Sequence, residues 1–270
     1  MATLIEEVIG NREVLVCEAG TGTGKTFAYL VPALQSGLKT IISTATKTLQ
    51  DQLYYRDLPL VCEALGISIE RGLLKGRQNY LCLLRLERAQ RNRGLNTQHI
   101  AMLERLAQWS SLTDSGDLEE VHEFEEDMEL RYAGTSTTDN CLGQECPFFE
   151  PCFVVRARRT AAGADVVIVN HHLLFADMIL RETGFAELLP SAEVVILDEA
   201  HKVPDIASVF FSRSVSAQQI SNLCRDVWSA IPIEAPDTPA LKETVSALEI
   251  AKEAFRRACG SEPHLSLIHI

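Results

Sequence analysis

Residues 19–26, AGTGTGKT, have the residue types and spacing of a loop that binds phosphate. Glycine accepts backbone angles that other residues avoid, so the glycines let successive backbone N–H groups converge on phosphate oxygens. Lys25 would reach the β- and γ-phosphates, and Thr26 would offer its hydroxyl to Mg²⁺. Ala19 stands where the strict pattern has glycine and keeps a small side chain there. The loop predicts ATP as substrate, held with Mg²⁺ by Ala19, Gly20, Thr21, Gly22, Thr23, Gly24, Lys25 and Thr26.

The tetrapeptide DEAH at residues 198–201 supplies the carboxylates that an ATP-hydrolysing enzyme needs. It follows an unbroken apolar run, VVIL, of the kind found in buried parallel strands. We expect Asp198 to hold Mg²⁺ through its water shell, Glu199 to activate the attacking water and His201 to sense the state of the nucleotide. A surface turn could produce the same four letters, but the phosphate-binding loop favours hydrolysis. The predicted catalytic residues are Lys25, Asp198, Glu199 and His201.

Three cysteines, Cys141, Cys146 and Cys152, lie close together and form a third candidate site. The chain starts without a secretory signal pattern and has no apolar run of about 18 residues, so neither export nor a membrane span is predicted. We therefore expect a cytoplasmic, reducing environment, in which clustered thiols indicate metal or redox chemistry. Thiolates suit zinc as well as an iron–sulfur cluster. The cysteines that stand alone are predicted to be free thiols: Cys17, Cys62, Cys224 and Cys259.

The segments between these motifs alternate between strand and helix patterns. A β-rich run at 14–17 precedes the phosphate-binding loop, and an apolar-periodic helix follows the loop and ends near Gly37. Further strands are predicted at 40–45, 67–74 and 165–172, separated by helical patterns. This alternation predicts an α/β fold with a parallel sheet covered by helices on both faces.

Polar residues follow two of the predicted strands at their carboxyl ends, where parallel sheets bind ligands. Adjacent side chains of a strand point to opposite faces, so the two neighbouring histidines are predicted to form ordinary hydrogen bonds and not to chelate a metal. The polar residues are Ser43, Thr44 and Thr46 after one strand and Asn170, His171 and His172 after the other.

The formal net charge of −12 over 270 residues argues mildly against a general nucleic-acid coat. The charge is uneven, however, because residues 118–130 alone carry seven carboxylates. Arginines bracket the cysteines on both sides, so a basic face could remain beside an acidic loop. The hydrophobic content of 46% is that of a globular protein with one sizeable core. The bracketing arginines are Arg85, Arg88, Arg91, Arg93, Arg156, Arg158 and Arg159.

The motifs, taken in order, resemble those of a known helicase family. AGTGTGKT, IISTATKTLQDQL, LLKGRQNYLCLLRLE, NCLGQECPFFEPCFVVRAR, DVVIVNHHLLFADM and LDEAH are similar to the bacterial branch of the XPD-like iron–sulfur superfamily 2 DNA helicases, the YoaA/DinG type. The resemblance covers most of residues 10–210. It implies a RecA-like P-loop domain, ATP-dependent translocation 5′ to 3′ on DNA, and a role in DNA repair or replication. The implied partners are single-stranded or forked DNA and repair or replication proteins.

The same resemblance implies that four cysteines bind a [4Fe–4S] cluster in a domain inserted into the RecA-like domain. Carried over by position, these are Cys82, Cys141, Cys146 and Cys152. Zinc modules usually bring their cysteines in two tight pairs, whereas here one distant cysteine joins a C-x₄-C-x₅-C trio, which favours the cluster and leaves zinc as the alternative. The insertion is predicted to bury too little apolar area to fold firmly alone, so that four iron–thiolate bonds would substitute for a core.

Strand separation in this family takes place beside the iron–sulfur domain, so the resemblance places phosphate contacts there as well as at the strand ends of the RecA-like domain. Basic side chains would meet the DNA backbone, and hydroxyl groups would donate hydrogen bonds to it. The residues predicted to contact DNA are Ser43, Thr44, Thr46, Arg85, Arg88, Arg156 and Arg158.

The resemblance also divides the chain into segments. They are the first RecA-like domain at 1–75 and 160–207, the iron–sulfur insertion at 76–159, the start of a helical arch domain at 208–260, and a tail at 261–270 that has no interpretation. We predict the arch segment as a hairpin of two helices. The first begins with a capping box of Ser216 and Gln219, and the second runs from about 241 to 259.

Two features expected of the family are not predicted in this chain. No sequence after the arch segment resembles a second RecA-like domain with its arginine fingers, and the phosphate-binding loop begins too early for an upstream adenine-recognition motif. We therefore expect a truncated chain that hydrolyses little ATP alone. Two other functions remain open: a nucleotide- and DNA-binding module without turnover, and a P-loop ATPase of iron–sulfur cluster maturation.

Overall fold

The structure is a computed structural model that describes residues 1–20, 22–91, 97–121, 124, 127–183, 188–211 and 216–258. The chain divides into two compact units, Met1–Ala207 and Ser208–Ile270. The uninterpreted tail at 261–270 lies outside the described residues. None of the helices in the described ranges combines the length and apolar character that a membrane span requires.

Four parallel strands form a sheet in the first unit, which confirms the predicted α/β fold with a parallel sheet. The central strand β1 (Thr40–Thr44) pairs on one side with β3 (Val166–Asn170) and on the other with β4 (Val194–Leu197). The fourth strand, β2 (Arg71–Leu73), pairs with the outer side of β3. The carboxyl ends of β1, β3 and β4 therefore lie side by side, and the residues that follow them share one edge of the sheet.

Helices occupy most of the connections between the strands. A π-helix, Leu53–Asp57, joins α3 to α4, so the helical pattern predicted after β1 is one continuous helical segment. The helices up to Phe211 are α1 (Ala2–Asn11), α2 (Lys25–Gln35), α3 (Lys47–Gln52), α4 (Leu58–Leu65), α5 (Leu83–Arg91), α6 (Thr97–Ser110), α7 (Met128–Gly134), α8 (Phe153–Gly163), α9 (His171–Thr183) and α10 (Val203–Phe211).

Both faces of the sheet are covered, as the sequence predicts. Neighbouring residues of a strand point to opposite faces, and the neighbours Ile41 and Ile42 belong to two different buried clusters. Ile42 packs in the cluster that contains Leu30 of α2, and Ile41 packs in the cluster that contains Ala161 of α8. Burial of apolar side chains on both faces is therefore what fixes this sheet between its helices.

The strand predicted at 14–17 is wrong, because these residues form no strand in the structure. Val14 and Val16 are 93% and 92% exposed. A strand needs a neighbour to satisfy its backbone, and within the described residues β4 pairs only with β1 and forms one edge of the sheet. Two other predicted strands are shorter than expected, since β2 begins at Arg71 and β3 ends at Asn170.

The segment predicted as the insertion, 76–159, contains a hydrophobic core made of its own residues, which corrects the prediction that it buries too little apolar area. Gly116 has a φ of 65°, and a Cβ atom there would lie 2.1 Å from the Phe153 ring, so only glycine lets this ring enter the core. The sequence-based prediction gave too much weight to the acidic residues between the helices. The buried residues of this core are Tyr80, Leu81, Leu86, Ala89, Leu103, Leu106, Leu118, Phe124, Leu130, Phe153 and Val154.

A buried ion cluster links α3 to the insertion. The side chain of Lys75 is 1% exposed, and its Nζ lies 2.9 Å from Asp51 Oδ1, 2.7 Å from Asp117 Oδ2 and 2.5 Å from Glu119 Oε2. These three carboxylates are close enough together to hold a metal ion, but the ammonium of Lys75 already lies among them. Burial alone would raise the pKa of Glu119, yet its hydrogen bonds with Lys75 and Lys47 hold that pKa below its ordinary value.

Replacing Lys75 with Met should destabilise the protein strongly, because three carboxylates would face one another without their cation. We expect the free energy of unfolding to fall by about 3 kcal/mol, the lower end for a broken buried pair, since the carboxylates keep partial access to water. Lys47→Met is the matched control, because Lys47 binds the same Glu119 at 3.0 Å but is about one-third exposed. Its cost should stay below about 1 kcal/mol. Urea denaturation of both variants measures the difference, and equal costs would contradict it.

In the second unit, the described residues from Ser216 onward form α11 (Ala217–Glu234) and α12 (Pro239–Ala258), joined by a short loop. The predicted capping box is confirmed, since the Ser216 hydroxyl accepts from Gln219 N and the Gln219 side chain accepts from Ser216 N. Lys252 Nζ donates to Ser221 Oγ at 2.8 Å, which ties the end of α12 to the start of α11. The helices therefore form the antiparallel hairpin that the sequence predicts.

Candidate functional site

The phosphate-binding loop leads directly into α2. Gly22 and Gly24 have φ values of 74° and 81°, a region that favours glycine, and Gly24 is the residue before the first helical turn. Thr23 Oγ1 donates to Gly20 O at 2.7 Å and so closes the loop on itself. The first backbone N–H groups of α2 are consequently presented at the loop, where an anion can accept from them. Thr21 lies outside the described residues.

The predicted catalytic carboxylates lie beside this loop. Lys25 Nζ is 3.6 Å from Glu199 Oε1, and His201 Nδ1 is 3.4 Å from the other oxygen, Glu199 Oε2. Glu199 has a φ of 54°, an unusual backbone conformation for a residue with a side chain. Such conformations cost free energy and are concentrated at functional sites. The structure thus brings together three of the residues predicted to be catalytic, Lys25, Glu199 and His201, next to the fourth, Asp198.

The carboxylate of Asp198 is held by hydrogen bonds to both of its oxygens. Oδ1 accepts from the Glu199 N–H at 3.0 Å, and Oδ2 accepts from the Tyr29 hydroxyl at 3.3 Å. Tyr29 also interacts with the Thr26 side chain, so one hydroxyl contacts both predicted Mg²⁺ ligands. Burial and the charge of Asp198 raise the pKa of Tyr29, so it remains a donor. No motif marks Tyr29, and its only signal is its place one helical turn after Lys25.

The backbone of Asp198 is held as well, by residues at the ends of β1 and β3. Its N–H donates to Ser43 O at 2.8 Å. Its carbonyl oxygen lies 2.9 Å from His171 Nε2, and the other ring nitrogen, Nδ1, lies 2.7 Å from Ser43 Oγ. His171 begins α9 and does not end a strand, so the predicted hydrogen-bonding role is correct but the strand placement is wrong.

The four predicted cluster ligands are free, half-buried thiols. Burial raises the pKa of the Cys82 thiol, and the charges of Cys152 and Cys146 raise it further. Arg77 Nη1 donates to Cys141 Sγ at 2.6 Å. Cys82 thus lies within electrostatic range of Cys146 and Cys152, and Cys141 has a cation at its sulfur atom.

A second guanidinium lies in the same neighbourhood. Burial lowers the pKa of Arg158, as does the charge of Arg77, while Cys141 and Cys152 act in the opposite direction. Among the described residues, no three cysteine sulfur atoms lie within 4.8 Å of one another. One zinc ion would need them about 3.8 Å apart, given Zn–S bonds of about 2.3 Å.

The structure corrects part of the predicted DNA contact set at the end of β1. Ser43 and Thr44 are fully buried, and the Ser43 hydroxyl pairs with His171, so neither side chain can reach a DNA phosphate from this position. Thr46 is exposed at the start of α3, where its hydroxyl accepts from Leu49 N. Only Thr46 of the three is therefore placed to meet a ligand at the surface.

The predicted DNA-contacting arginines separate into two pairs. Arg85 is half-buried, donates to Tyr132 O at 3.0 Å and stacks over the Tyr132 ring, and Arg158 is half-buried near the cysteines. Arg88 and Arg156 are exposed. The outer pair thus lies at the surface, where Arg156 is 3.8 Å from Asp114 Oδ1, whereas the inner pair makes contacts within residues 76–159.

Comparison with known families and proteins agrees with this arrangement. The DEAD/DEAH box helicase profile matches residues 2–113, and the DEAD_2 profile matches residues 67–220, which is more than half of the chain. The ATP-dependent DNA helicase YoaA of Escherichia coli strain K12 is 48% identical over 261 residues, which are 96% of this chain and 41% of that protein. The chain thus spans about two fifths of the length of this relative.

A more distant relative and one solved structure are also similar to this chain. The ATP-dependent helicase DinG of Mycobacterium tuberculosis strain H37Ra is 37% identical over 241 residues, covering 80% of this chain and 36% of that protein. A solved structure of truncated XPD aligns over 83% of this chain and 58% of its own, with a TM-score of 0.46 and 20% identity. The resemblance seen in the sequence motifs is confirmed by the profile and the relatives: the chain belongs to the DEAD_2 family of XPD/DinG-like helicases.

Proposed function

We propose that this chain is the nucleotide-binding motor portion of an ATP-dependent DNA helicase that moves 5′ to 3′ and carries a [4Fe–4S] cluster. The observation that carries the proposal is the convergence of Lys25 with Glu199 at 3.6 Å, next to an Asp198 carboxylate held at both oxygens. A phosphate-binding cation, a metal-binding carboxylate and a base carboxylate are the parts that ATP hydrolysis requires.

Each residue of the nucleotide site has a distinct role in this proposal. The loop from Gly20 to Lys25 binds the phosphates through backbone N–H groups and one ammonium. Thr26 and Asp198 hold Mg²⁺, which would neutralise phosphate charge when bound. Glu199 takes a proton from the attacking water, and His201 reports the nucleotide state through its contact with Glu199.

The cluster would be held by Cys82 at the start of α5 and by Cys141, Cys146 and Cys152 before α8. The observations in its favour are the contact of Arg77 with Cys141 and the effect of Cys146 and Cys152 on the pKa of Cys82. Bound there, the cluster would supply a rigid cross-link between chain segments that are far apart in sequence. Since the insertion has its own core, the cross-link adds to that core and does not replace it.

DNA would be bound through exposed cations of the insertion and through Thr46 at the sheet edge. Arg88 and Arg156 are exposed on α5 and α8, which also carry or adjoin the cluster ligands. Single-stranded or forked DNA is the partner that such a surface fits, because its affinity comes from phosphate contacts. Proteins of replication or repair are further expected partners, on the resemblance alone.

Replacing both Arg88 and Arg156 with Gln tests the DNA surface. We expect affinity for a labelled single-stranded oligonucleotide to fall, and the slope of log affinity against log salt to become shallower by about 1.4, at about 0.7 for each phosphate contact. Arg56→Gln is the control, because Arg56 is also exposed but lies in the π-helix outside residues 76–159. Fluorescence anisotropy across salt concentrations measures all three proteins.

The outcome also separates the alternative functions. An ATPase of cluster maturation would show no DNA affinity and would transfer its cluster to an apo-protein acceptor. A binding module without turnover would bind DNA and nucleotide but would hydrolyse none, even when a complete motor is reconstituted. An unchanged salt slope in the double variant, with DNA affinity retained, would show that the phosphate contacts lie elsewhere.

A further inference from the structure

His171 connects the ends of three neighbouring strands beneath the nucleotide site. It is fully buried, its two ring nitrogens contact Ser43 Oγ at 2.7 Å and Asp198 O at 2.9 Å, and it begins α9 directly after β3. We infer that His171 is a positioning residue, which holds the backbone of Asp198 so that its carboxylate faces the metal of bound Mg·ATP. This inference rests on the proposed function, since it concerns the same nucleotide site.

The chemistry of the two hydrogen bonds fixes their directions. The carbonyl oxygen of Asp198 can only accept, so His171 Nε2 must carry the proton. In a neutral ring with its proton on Nε2, the other nitrogen, Nδ1, is an acceptor. The Ser43 hydroxyl therefore donates to Nδ1. The result is a directed chain from the Ser43 hydroxyl through the imidazole to the Asp198 carbonyl.

This row of hydrogen bonds ends at Asp198, whose other polar atoms also form hydrogen bonds. Asp198 donates its N–H to Ser43 O, and its carboxylate accepts from the Tyr29 hydroxyl and from the Glu199 N–H. The next residue, Glu199, has the unusual φ of 54°, so the turn after β4 needs support from its surroundings. The bond from His171 fixes the peptide group that joins these two carboxylate residues. Losing it would free that peptide to rotate and would move both side chains.

No other side chain type makes both contacts from this position equally well. A leucine fills a similar volume but leaves the Asp198 carbonyl and the Ser43 hydroxyl without partners in a buried place. Glutamine extends far enough to donate an N–H toward Asp198 O, in the place of Nε2. Asparagine is shorter and matches only the Nδ1 side, toward Ser43. The glutamine and asparagine variants therefore test the hydrogen bond to Asp198 and the hydrogen bond to Ser43 separately.

The test is the affinity of the 270-residue chain for a fluorescent ATP analogue, measured with Mg²⁺ and with EDTA. With Mg²⁺, His171→Leu should weaken binding about tenfold, the change that corresponds to one lost buried hydrogen bond. With EDTA it should match wild type, because the loop binds phosphate without Asp198. His171→Gln should stay within about threefold of wild type under both conditions. His172→Leu, at the exposed neighbouring histidine, is the matched control and should change neither affinity.

A merely structural role predicts a different pattern. It would lower the melting temperature and weaken binding equally with and without Mg²⁺, and that result overturns the inference. If His171→Leu does not fold, His171→Gln and His171→Asn are compared in its place. Equal affinities of these two variants in the presence of Mg²⁺ would also overturn the inference. Lys25→Ala distinguishes a failure of the positioning role from a failure of the proposed function. If Lys25→Ala loses binding while folded His171→Leu keeps the wild-type affinity, only the positioning role is overturned. Absence of Mg²⁺-dependent binding in the wild-type chain overturns the proposed function as well.

Discussion

Protein purified without oxygen is expected to be brown and to contain iron and acid-labile sulfide in near-equal amounts. The four predicted ligands are free, half-buried thiols, and Arg77 contacts Cys141, where a cation would balance part of the negative charge that a cluster with thiolate ligands carries. Metal analysis and the visible absorption spectrum measure the content. Stoichiometric zinc in place of iron would exclude the cluster.

Cys141→Ser should remove the iron, because it replaces the thiolate that Arg77 contacts. We expect iron to fall from about four per chain to the background level, since a four-iron cluster needs its full set of ligands. Cys62→Ser is the matched control: this thiol is also half-buried, but it lies in α4 beneath the sheet. It should keep the iron of the wild type. Iron retained in Cys141→Ser would show that Cys141 is not a ligand.

The folded state of Cys141→Ser then tests the core of the insertion. Since eleven residues of this segment are buried together, we expect its helices to persist after the cluster is lost. Circular dichroism should therefore change little while the colour disappears. Complete unfolding of this segment would show that it depends on the cluster for its stability, as the sequence-based prediction states.

The nucleotide site is the part of the molecule that its sequence predicts best. The lysine follows the loop glycines and begins a helix, and the carboxylate pair follows a strand. Each motif can therefore be recognised from a short segment of the sequence. The structure adds what spacing cannot give, the contact between Lys25 and Glu199, which are far apart in sequence and meet because α2 packs in one buried cluster with Ile196 of β4.

The wrong predictions share a physical cause, which is that tertiary contacts decide burial. The run at 14–17 has β-forming residues, yet it pairs with no strand in the structure. Ser43 and Thr44 sit at a strand end, where ligands usually bind, but neighbouring elements bury them. Lys75 has no signal in the sequence, because a single lysine shows its role only when three carboxylates from distant segments surround it.

The 270-residue chain on its own is expected to bind Mg·ATP weakly and to hydrolyse it hardly at all. It contains the phosphate-binding Lys25 and Thr26 and the carboxylates Asp198 and Glu199, and Lys25 is the cation that pairs with Glu199 among the described residues. Motors of this kind need a further cation at the transition state, and an arginine finger contributes roughly 10³ to 10⁵ in rate. In the family that the sequence resembles, the opposing domain supplies it. Turnover by this chain should be lower than that of a complete motor by about the same factor.

Lys25→Ala should weaken Mg·ATP binding further, because only backbone dipoles and the metal would then face the β- and γ-phosphates. DNA should add little to the rate, since stimulation in a two-domain motor comes from closing one domain on the other. Phosphate release by the wild-type chain and by Lys25→Ala, each with and without single-stranded DNA, measures both statements. The control is Lys39→Ala, an exposed lysine at the opposite end of β1, which should leave binding unchanged. Robust turnover that depends on both DNA and Lys25 would mean that a second copy of the chain supplies the missing cation, or that hydrolysis does not require one.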